Sequence, residues 1–242
     1  MFCHKISLLT NFGASKFKVC RKMLSDATSL KKPILYGDES SPPVRFVMMA
    51  AKLLNADLDF HLIDLFKGDN KTEEYKKINP LQKVPALSTD GQTICDSHAI
   101  AVYLCRKLGG LELYPEDILL KAKVDQMLYF DATTLFPIDS AIYNDYFAST
   151  WPTEDSNITQ WYSAINHLET LLNQNKWLTG DKMRLCDICC GTTVSSLSIL
   201  LPLLDKHVKV KEWMKNLDED PCFEINRRGL ERLLFFVNKF GS

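Results

Sequence analysis

No uninterrupted apolar stretch in this 242-residue chain reaches the roughly 18 residues that a membrane-crossing helix needs. The best candidate, Cys189 to Leu204, is broken by Thr192, Thr193, Ser195, Ser196 and Ser198, so no membrane span is expected. An export signal is not expected either, because Ile6-Ser7-Leu8-Leu9 is too short for its apolar core. Net charge is nearly absent: 29 Lys and Arg against 30 Asp and Glu leave −1, too little to draw in nucleic acid or an anionic membrane. Glycine and proline are scarce, ten of each, and 24% of residues are charged, which excludes collagen-like, low-complexity and wholly disordered chains. A glycine-rich phosphate loop is missing. Histidines spaced to share a metal are missing too, so His61, His98, His167 and His207 read as structural, as does Arg45. Eight cysteines are present, but without an export signal they are expected to be free thiols in a reducing compartment. Cys186 and Cys189 have C-x-x-C spacing with Cys190 beside them, yet no second pair follows to complete a zinc site, so core packing is expected and no metal is assigned.

What is present is a large apolar fraction, 46%, enough for a sizeable core. Charge is unevenly spread. Residues 1–32 hold seven basic side chains and one acid, Asp26, leaving 22 basic and 29 acidic residues in the remainder. Residues 1–31 therefore read as a basic extension without a fold of its own, with a loose likeness to a mitochondrial presequence.

Beyond the extension, Pro33 to Tyr36 reads as a strand and Val44 to Leu54 as a mostly buried helix. The turn between them, Gly37 to Pro43, places Ser41 at that helix's N-terminus, because prolines are tolerated in a first helical turn. Leu58 to Leu65 suggests a second strand and Lys71 to Ile78 a short helix. Val84 to Leu87 and Gln92 to Cys95 flank Asp90-Gly91, a hairpin signal since both residues accept positive φ. Ser97 to Leu108 is again helical. Past Tyr114-Pro115 strand signals stop: Leu119 to Phe136, kinked or ended by Pro137 and continuing to Phe147, then Trp161 to Gln174, Cys186 to Leu200, Val208 to Asn216 and Arg228 to Phe240 all read as helices. The shift near 111–117 marks a domain boundary, giving a fold of an α/β domain at 32–111 and an all-α domain at 116–242.

A serine hydroxyl at a helix N-terminus can donate to an anion, and the helix end adds a favourable field, so a thiolate held there is stabilised over its thiol. Spacing alone leaves open that Ser41 is only an N-cap. The same ambiguity holds for Asp96 and Ser97, which open the helix after the hairpin.

The residues Tyr36 with Ser41-Pro42-Pro43-Val44-Arg45, Asn79 to Leu87, Asp96-Ser97-His98-Ala99-Ile100, Trp177 to Gly180 and Leu185-Cys186-Asp187 together resemble a cytosolic glutathione transferase, over nearly the whole chain after residue 32. The resemblance implies a thioredoxin-like N-terminal domain that binds glutathione as co-substrate and a helical C-terminal domain that lines the second-substrate pocket. It implies Ser41 as the catalytic residue holding the glutathione thiolate, and a cis Val84-Pro85 bond that aims the Val84 N–H and C=O at the cysteinyl part. Asp96 and Ser97 would hold the γ-glutamyl end, and Gln82 the glycyl carboxylate. It further implies a cytoplasmic homodimer. Two residues depart from the family pattern. Gln82 stands where His is usual, so the carboxylate contact lacks charge, and Arg184 stands where a Ser or Thr cap is usual, leaving Asp187 to hold that helix start.

Within the insect epsilon class the chain resembles the Noppera-bo group, which acts in ecdysteroid biosynthesis, through Pro33 to Tyr36, Asp38-Glu39, Leu65 to Gly68 and Leu135-Phe136 followed by Asp139-Ser140. That likeness puts Pro42, Leu65, Phe66, Phe136, Asp139, Ser140, Tyr143 and Phe147 around a pocket for an apolar, steroid-like molecule. A carboxylate in such a wall is costly without a partner, and a steroid hydroxyl would supply one. Alternatively Asp139 caps the helix after Pro137 and faces water. A general xenobiotic-detoxifying epsilon transferase and a low-turnover steroid carrier are the rival functions.

Overall fold

Strand β1 (Ile34–Gly37) lies in the middle of a sheet whose neighbours the chain supplies in turn. The computed structural model describes residues 32–240, and the basic extension expected over residues 1–31 lies outside the described residues. Helix α1 (Pro42–Leu53) follows β1, with its two prolines at the first helical positions, where a missing N–H costs no intrahelical bond. Then come β2 (Asp59–Leu62), α2 (Glu73–Ile78), β3 (Ala86–Thr89), β4 (Gln92–Cys95) and α3 (Ser97–Leu108). The sheet order is β2-β1-β3-β4, with β1 and β2 parallel and the other pairs antiparallel. This is the thioredoxin-like arrangement implied by the sequence resemblance. At the β3–β4 turn, Asp90 and Gly91 have φ of 50° and 74°, as the Asp-Gly pair predicts.

Among the described residues the elements after α3 are helical: α4 (Ile118–Phe130), a π-helical stretch at Asp131–Leu135, α5 (Phe136–Phe147), α6 (Asp155–Leu172), α7 (Leu185–Leu197), α8 (Val208–Asp218) and α9 (Glu224–Phe240). The break expected at Pro137 falls earlier. Proline cannot donate to the carbonyl four residues back, and the chain accommodates this by widening to π geometry over the preceding turn while Pro137 sits in the first turn of α5. Helices α6 and α9 begin six and four residues before the positions periodicity predicts, Trp161 and Arg228: the first turn of α6 is polar and mostly solvent-facing, and that of α9 holds a single apolar residue, the buried Ile225, so no apolar stripe marks either.

Helix α1 is apolar on two sides. Val47 and Ala51 pack with Leu35, Leu87, Ile100 and Leu104 under the sheet. Phe46, Met49 and Ala50 instead join the core of the helical part, with Leu135, Trp161, Leu185 and Trp213. Burying a Val, Phe or Met side chain contributes about 1.5–3 kcal/mol, so α1 is held by two clusters, one on each side.

At the start of α7, Asp187 stands in for the missing cap. Its carboxylate accepts from Arg184 N (2.8 Å), Leu178 N (2.8 Å) and Trp213 Nε1 (3.0 Å). Burial pushes its pKa up to about 6, and those three donors oppose the rise. Cys95, Cys105, Cys186, Cys189, Cys190 and Cys222 are all free, and all but Cys95 are buried.

Candidate functional site

Register places the site. Tyr36 pairs with Ala86, Ala86 with Cys95 and Tyr36 with His61, so one row crosses all four strands. Asp38 to Ser41 leave β1 at this end, Asp64 to Phe66 leave β2 here, Gln82 to Pro85 enter β3 here, and Asp96-Ser97 leave β4 here. Helices α1 and α3 both start at the same end. Four loops and two positive helix ends thus converge on one edge of the sheet.

Ser41 is the N-cap of α1, and its hydroxyl makes no capping bond. Its main chain is fully engaged: the N–H donates to Asp38 O (2.9 Å), and its carbonyl accepts from Val44 N and Arg45 N (3.1 Å each). Because Pro42 and Pro43 carry no N–H, the half-buried hydroxyl is the donor that this helix end has to offer. The Val84-Pro85 bond is cis, as the resemblance implies. Val84 precedes the internal strand β3 and pairs with neither β1 nor β4, so the strand ladders leave its N–H and C=O available to an extended peptide. Gln82 is held at φ 55° by bonds from its N–H to Asn79 O (2.8 Å) and from Asn70 Nδ2 to its carbonyl (2.9 Å).

Asp96 has φ 89°, a conformation costing about 1–3 kcal/mol in a non-glycine residue. It caps α3 by accepting from His98 N and Ala99 N (2.9 and 3.0 Å) while staying 61% exposed, so capping and ligand contact are compatible; the neighbouring Ser97 is buried. His98 sits behind it, Nδ1 3.5 Å from Asp96 Oδ1 and Nε2 3.2 Å from Asp131 Oδ2. Burial alone would lower the His98 pKa, but Asp131 and Asp96 outweigh it and raise it to about 9, so the ring is cationic at neutral pH. Cys189 donates to Asp131 Oδ2 (3.3 Å) and Thr193 to Asp131 Oδ1 (2.7 Å). Sequence reasoning treated His98 and Cys189 as separate structural residues; the fold joins them across 91 positions. Among the described residues, His98, Asp131 and Cys189 are the group whose potential ligand atoms lie close enough for a metal, within 4.8 Å, and hydrogen bonds account for their arrangement.

Of the expected pocket residues, Phe66, Tyr143 and Phe147 come together: Phe66 lies 5.7 Å from Phe147, and Tyr143 lies 5.9 Å from Phe147, centroid to centroid. Phe236 and Phe240 of α9, which sequence reasoning missed, stack on Phe66 at 3.4 and 6.3 Å. Their spacing of four on one helix face was the available signal. Leu65, Phe136 and Ser140 are half-buried and Pro42 is buried. The Tyr143 hydroxyl is used internally, donating to Ser196 O (2.6 Å).

Asp139 does not face water. It lies in the first turn of α5, is 4% exposed, and its Oδ1 has no hydrogen-bond partner. Burial holds its carboxyl well above the usual carboxylate range, with the Arg45 charge opposing. Two hollows, one of about 400 Å³ beside Asn173 and Trp213 and one of about 210 Å³ between Tyr36 and Tyr75, are lined by none of Ser41, Val84 or Asp139.

A family model for the glutathione S-transferase N-terminal domain matches residues 35–111. Glutathione S-transferase D7 of Drosophila melanogaster is 32% identical over 201 residues, 82% of this chain and 90% of that protein. An epsilon-class glutathione S-transferase from the housefly, Musca domestica, superposes with a TM-score of 0.81 at 35% identity, covering 86% of this chain and 98% of that one. A glutathione transferase homologue from Drosophila mojavensis with bound glutathione gives 0.82 at 30% identity, covering 86% and 97%.

Proposed function

This chain belongs to the glutathione S-transferase family, in its insect epsilon/delta branch, and from that premise we propose that Ser41 donates its hydroxyl to the sulfur of bound glutathione and holds it as a thiolate. The observation carrying this reading is the Ser41 hydroxyl itself, at a helix N-terminus and without a capping bond. Val84 would pair with the cysteinyl main chain, Asp96 and Ser97 would take the γ-glutamyl end, and Gln82 the glycyl carboxylate. The thiolate then adds to an electrophilic carbon held against it, gaining rate from proximity. The glutathione-binding part spans about 32–111 and the helical part 116–242. The same reading carries a two-fold homodimer and a cytoplasmic location. Titrating the protein–glutathione complex with base and following thiolate absorbance tests it: ionisation is expected one or more pH units below the free thiol value of about 8.5. Bound glutathione that ionises where free glutathione does would overturn it.

The second substrate is an apolar molecule carrying a hydroxyl, steroid-like in shape, and the physiological setting is ecdysteroid biosynthesis. Asp139 supports this: a buried carboxylate oxygen without a partner, on the helix that presents Phe147 to Phe66 and stacks Tyr143 on Phe147. Rings would pack against Phe66, Tyr143 and Phe147 while the hydroxyl donates to Asp139. A hydrogen bond to a charged acceptor contributes about 1.5–3 kcal/mol, and one to a neutral carboxyl about 1. Asp139→Ala is therefore expected to weaken binding of a hydroxylated steroid about fivefold or more, while leaving a steroid that lacks the hydroxyl unaffected. Equal affinities of wild type and variant would leave a general detoxifying transferase as the better reading, and tight binding without conjugation would favour a carrier.

A further inference from the structure

The loop that carries Ser41 is held from the far end of the chain. Asp38, fully buried, accepts on Oδ1 from Arg232 Nε (2.7 Å) and on Oδ2 from Arg232 Nη2 (2.9 Å), a two-pronged pair across 194 positions. The same carboxylate accepts from Ser40 N (2.9 Å) and Ser40 Oγ (2.8 Å), and the Asp38 carbonyl accepts from Ser41 N. One turn earlier on α9, Arg228 forks onto Glu39 (2.6 and 2.7 Å). Helix α9 can come this close because residue 229 is glycine: a Cβ there would collide with Arg45 Cδ and the Glu39 carbonyl.

Arg232 also reaches the loop that follows β2. Its Nη2 lies 3.5 Å from Asp64 Oδ2, and Asp38 Oδ2 accepts from Leu65 N (3.2 Å). Its guanidinium covers the ring of Phe236, 5.3 Å from the centroid, and that ring stacks on Phe66. One cation thus touches the Ser41 loop, the Leu65–Phe66 loop and the aromatic cluster. It neutralises two carboxylates at the sheet end where a thiolate would sit. Arg228 is 54% exposed, and an exposed pair contributes little.

We propose that Arg232 is a positioning residue for the transferase reaction, fixing the Ser41 hydroxyl against the glutathione sulfur and shielding the thiolate from Asp38 and Asp64, while linking that placement to the second-substrate loop. The proposal rests on the Ser41 reading. Loss of the fork lets the Asp38–Ser41 turn relax, and misplacement by about 1 Å can cost a hundredfold in rate. Loss of the charge leaves two carboxylates opposing the thiolate.

The two parts separate by substitution. Arg232→Lys retains the charge without the fork, and Arg232→Met removes both. For conjugation of a chlorodinitro-arene, Arg232→Lys is expected to lower kcat about tenfold at an unchanged KM for glutathione. Arg232→Met is expected to lower it further and to move the kinetic pKa of the bound thiol upward. A purely structural role would instead lower the thermal midpoint and leave the pH profile of the remaining folded enzyme as in wild type. Should Arg232→Met fail to fold, Arg232→Lys decides: a folded Lys variant with wild-type kcat and pH profile overturns the proposal. Ser41→Ala, measured alongside, separates the two levels. A changed Ser41→Ala profile beside a wild-type Arg232→Lys profile removes only the role of Arg232, whereas an unchanged Ser41→Ala profile removes the serine reading and this proposal with it.

Discussion

Ser41→Ala is expected to reduce steady-state conjugation of glutathione to a chlorodinitro-arene by one to two orders of magnitude near neutral pH. A hydrogen bond donated to a charged acceptor contributes about 1.5–3 kcal/mol, and about 1.4 kcal/mol is tenfold in an equilibrium. Removing the hydroxyl returns the thiol pKa towards about 8.5, so the variant's rate should climb with pH through that value while the wild type has already levelled off. The deficit narrows in alkali because the sulfur then ionises unaided. Stability serves as the control. Replacing a serine that caps a helix usually costs about 1 kcal/mol, but this hydroxyl makes no cap bond, so the thermal midpoint should stay close to that of wild type. An active, alkali-independent variant would remove Ser41 from the chemistry. A large loss of stability would mean that the hydroxyl serves the fold after all.

The parts of this molecule legible in the sequence are those written in local chemistry. Asp90-Gly91 names its turn because both residues tolerate positive φ, and Ser41-Pro42-Pro43 names a helix start because proline suits that position and few others. Aromatic positions on α5 could be read as a wall because they recur along one helix. What stayed hidden depends on contacts between distant segments. Nothing in the spacing of Asp38 and Arg232, 194 residues apart, says that they form a two-pronged pair. Nor does any local pattern show that His98 lies between Asp96 and Asp131, a position that makes it cationic. One open reading was narrowed by burial. Asp139 could have capped its helix in water, and sequence periodicity could not exclude this because the helix is apolar on several sides; the fold encloses it. Arg45, read only as structural, is completely buried and binds three separate segments of chain.

That last residue carries the largest expected effect on stability. The Arg45 guanidinium donates through Nε to Asn226 Oδ1 (2.8 Å), through Nη1 to the carbonyls of Glu39 (2.9 Å) and Ser40 (2.7 Å), and through Nη2 to Ser196 Oγ. Burial lowers its pKa to about 10, still charged at neutral pH, with Asp139 the leading countercharge. Arg45→Met keeps the volume but strands these acceptors in the core. Each unsatisfied buried group costs about 1–3 kcal/mol, and breaking a buried charged network typically costs about 3–5 kcal/mol. At about 2–4 °C per kcal/mol for a chain of this size, the thermal midpoint should fall by on the order of 10 °C. Arg45→Lys should recover little, because one ammonium cannot span acceptors from the β1–α1 loop, α7 and α9. A Lys variant as stable as wild type would show that charge alone, not the fork, holds these segments together. The loss should also depend on pH. In the fold the Asp139 carboxyl titrates above its ordinary 3.8, so folding takes up a proton and stability declines as pH rises from 3.8 through the folded value. Without the Arg45 cation that folded value moves higher still. The gap between wild type and Arg45→Met in urea unfolding should therefore be smaller in acid and widen towards neutral pH, whereas a gap constant with pH would mean that Asp139 and Arg45 are not coupled.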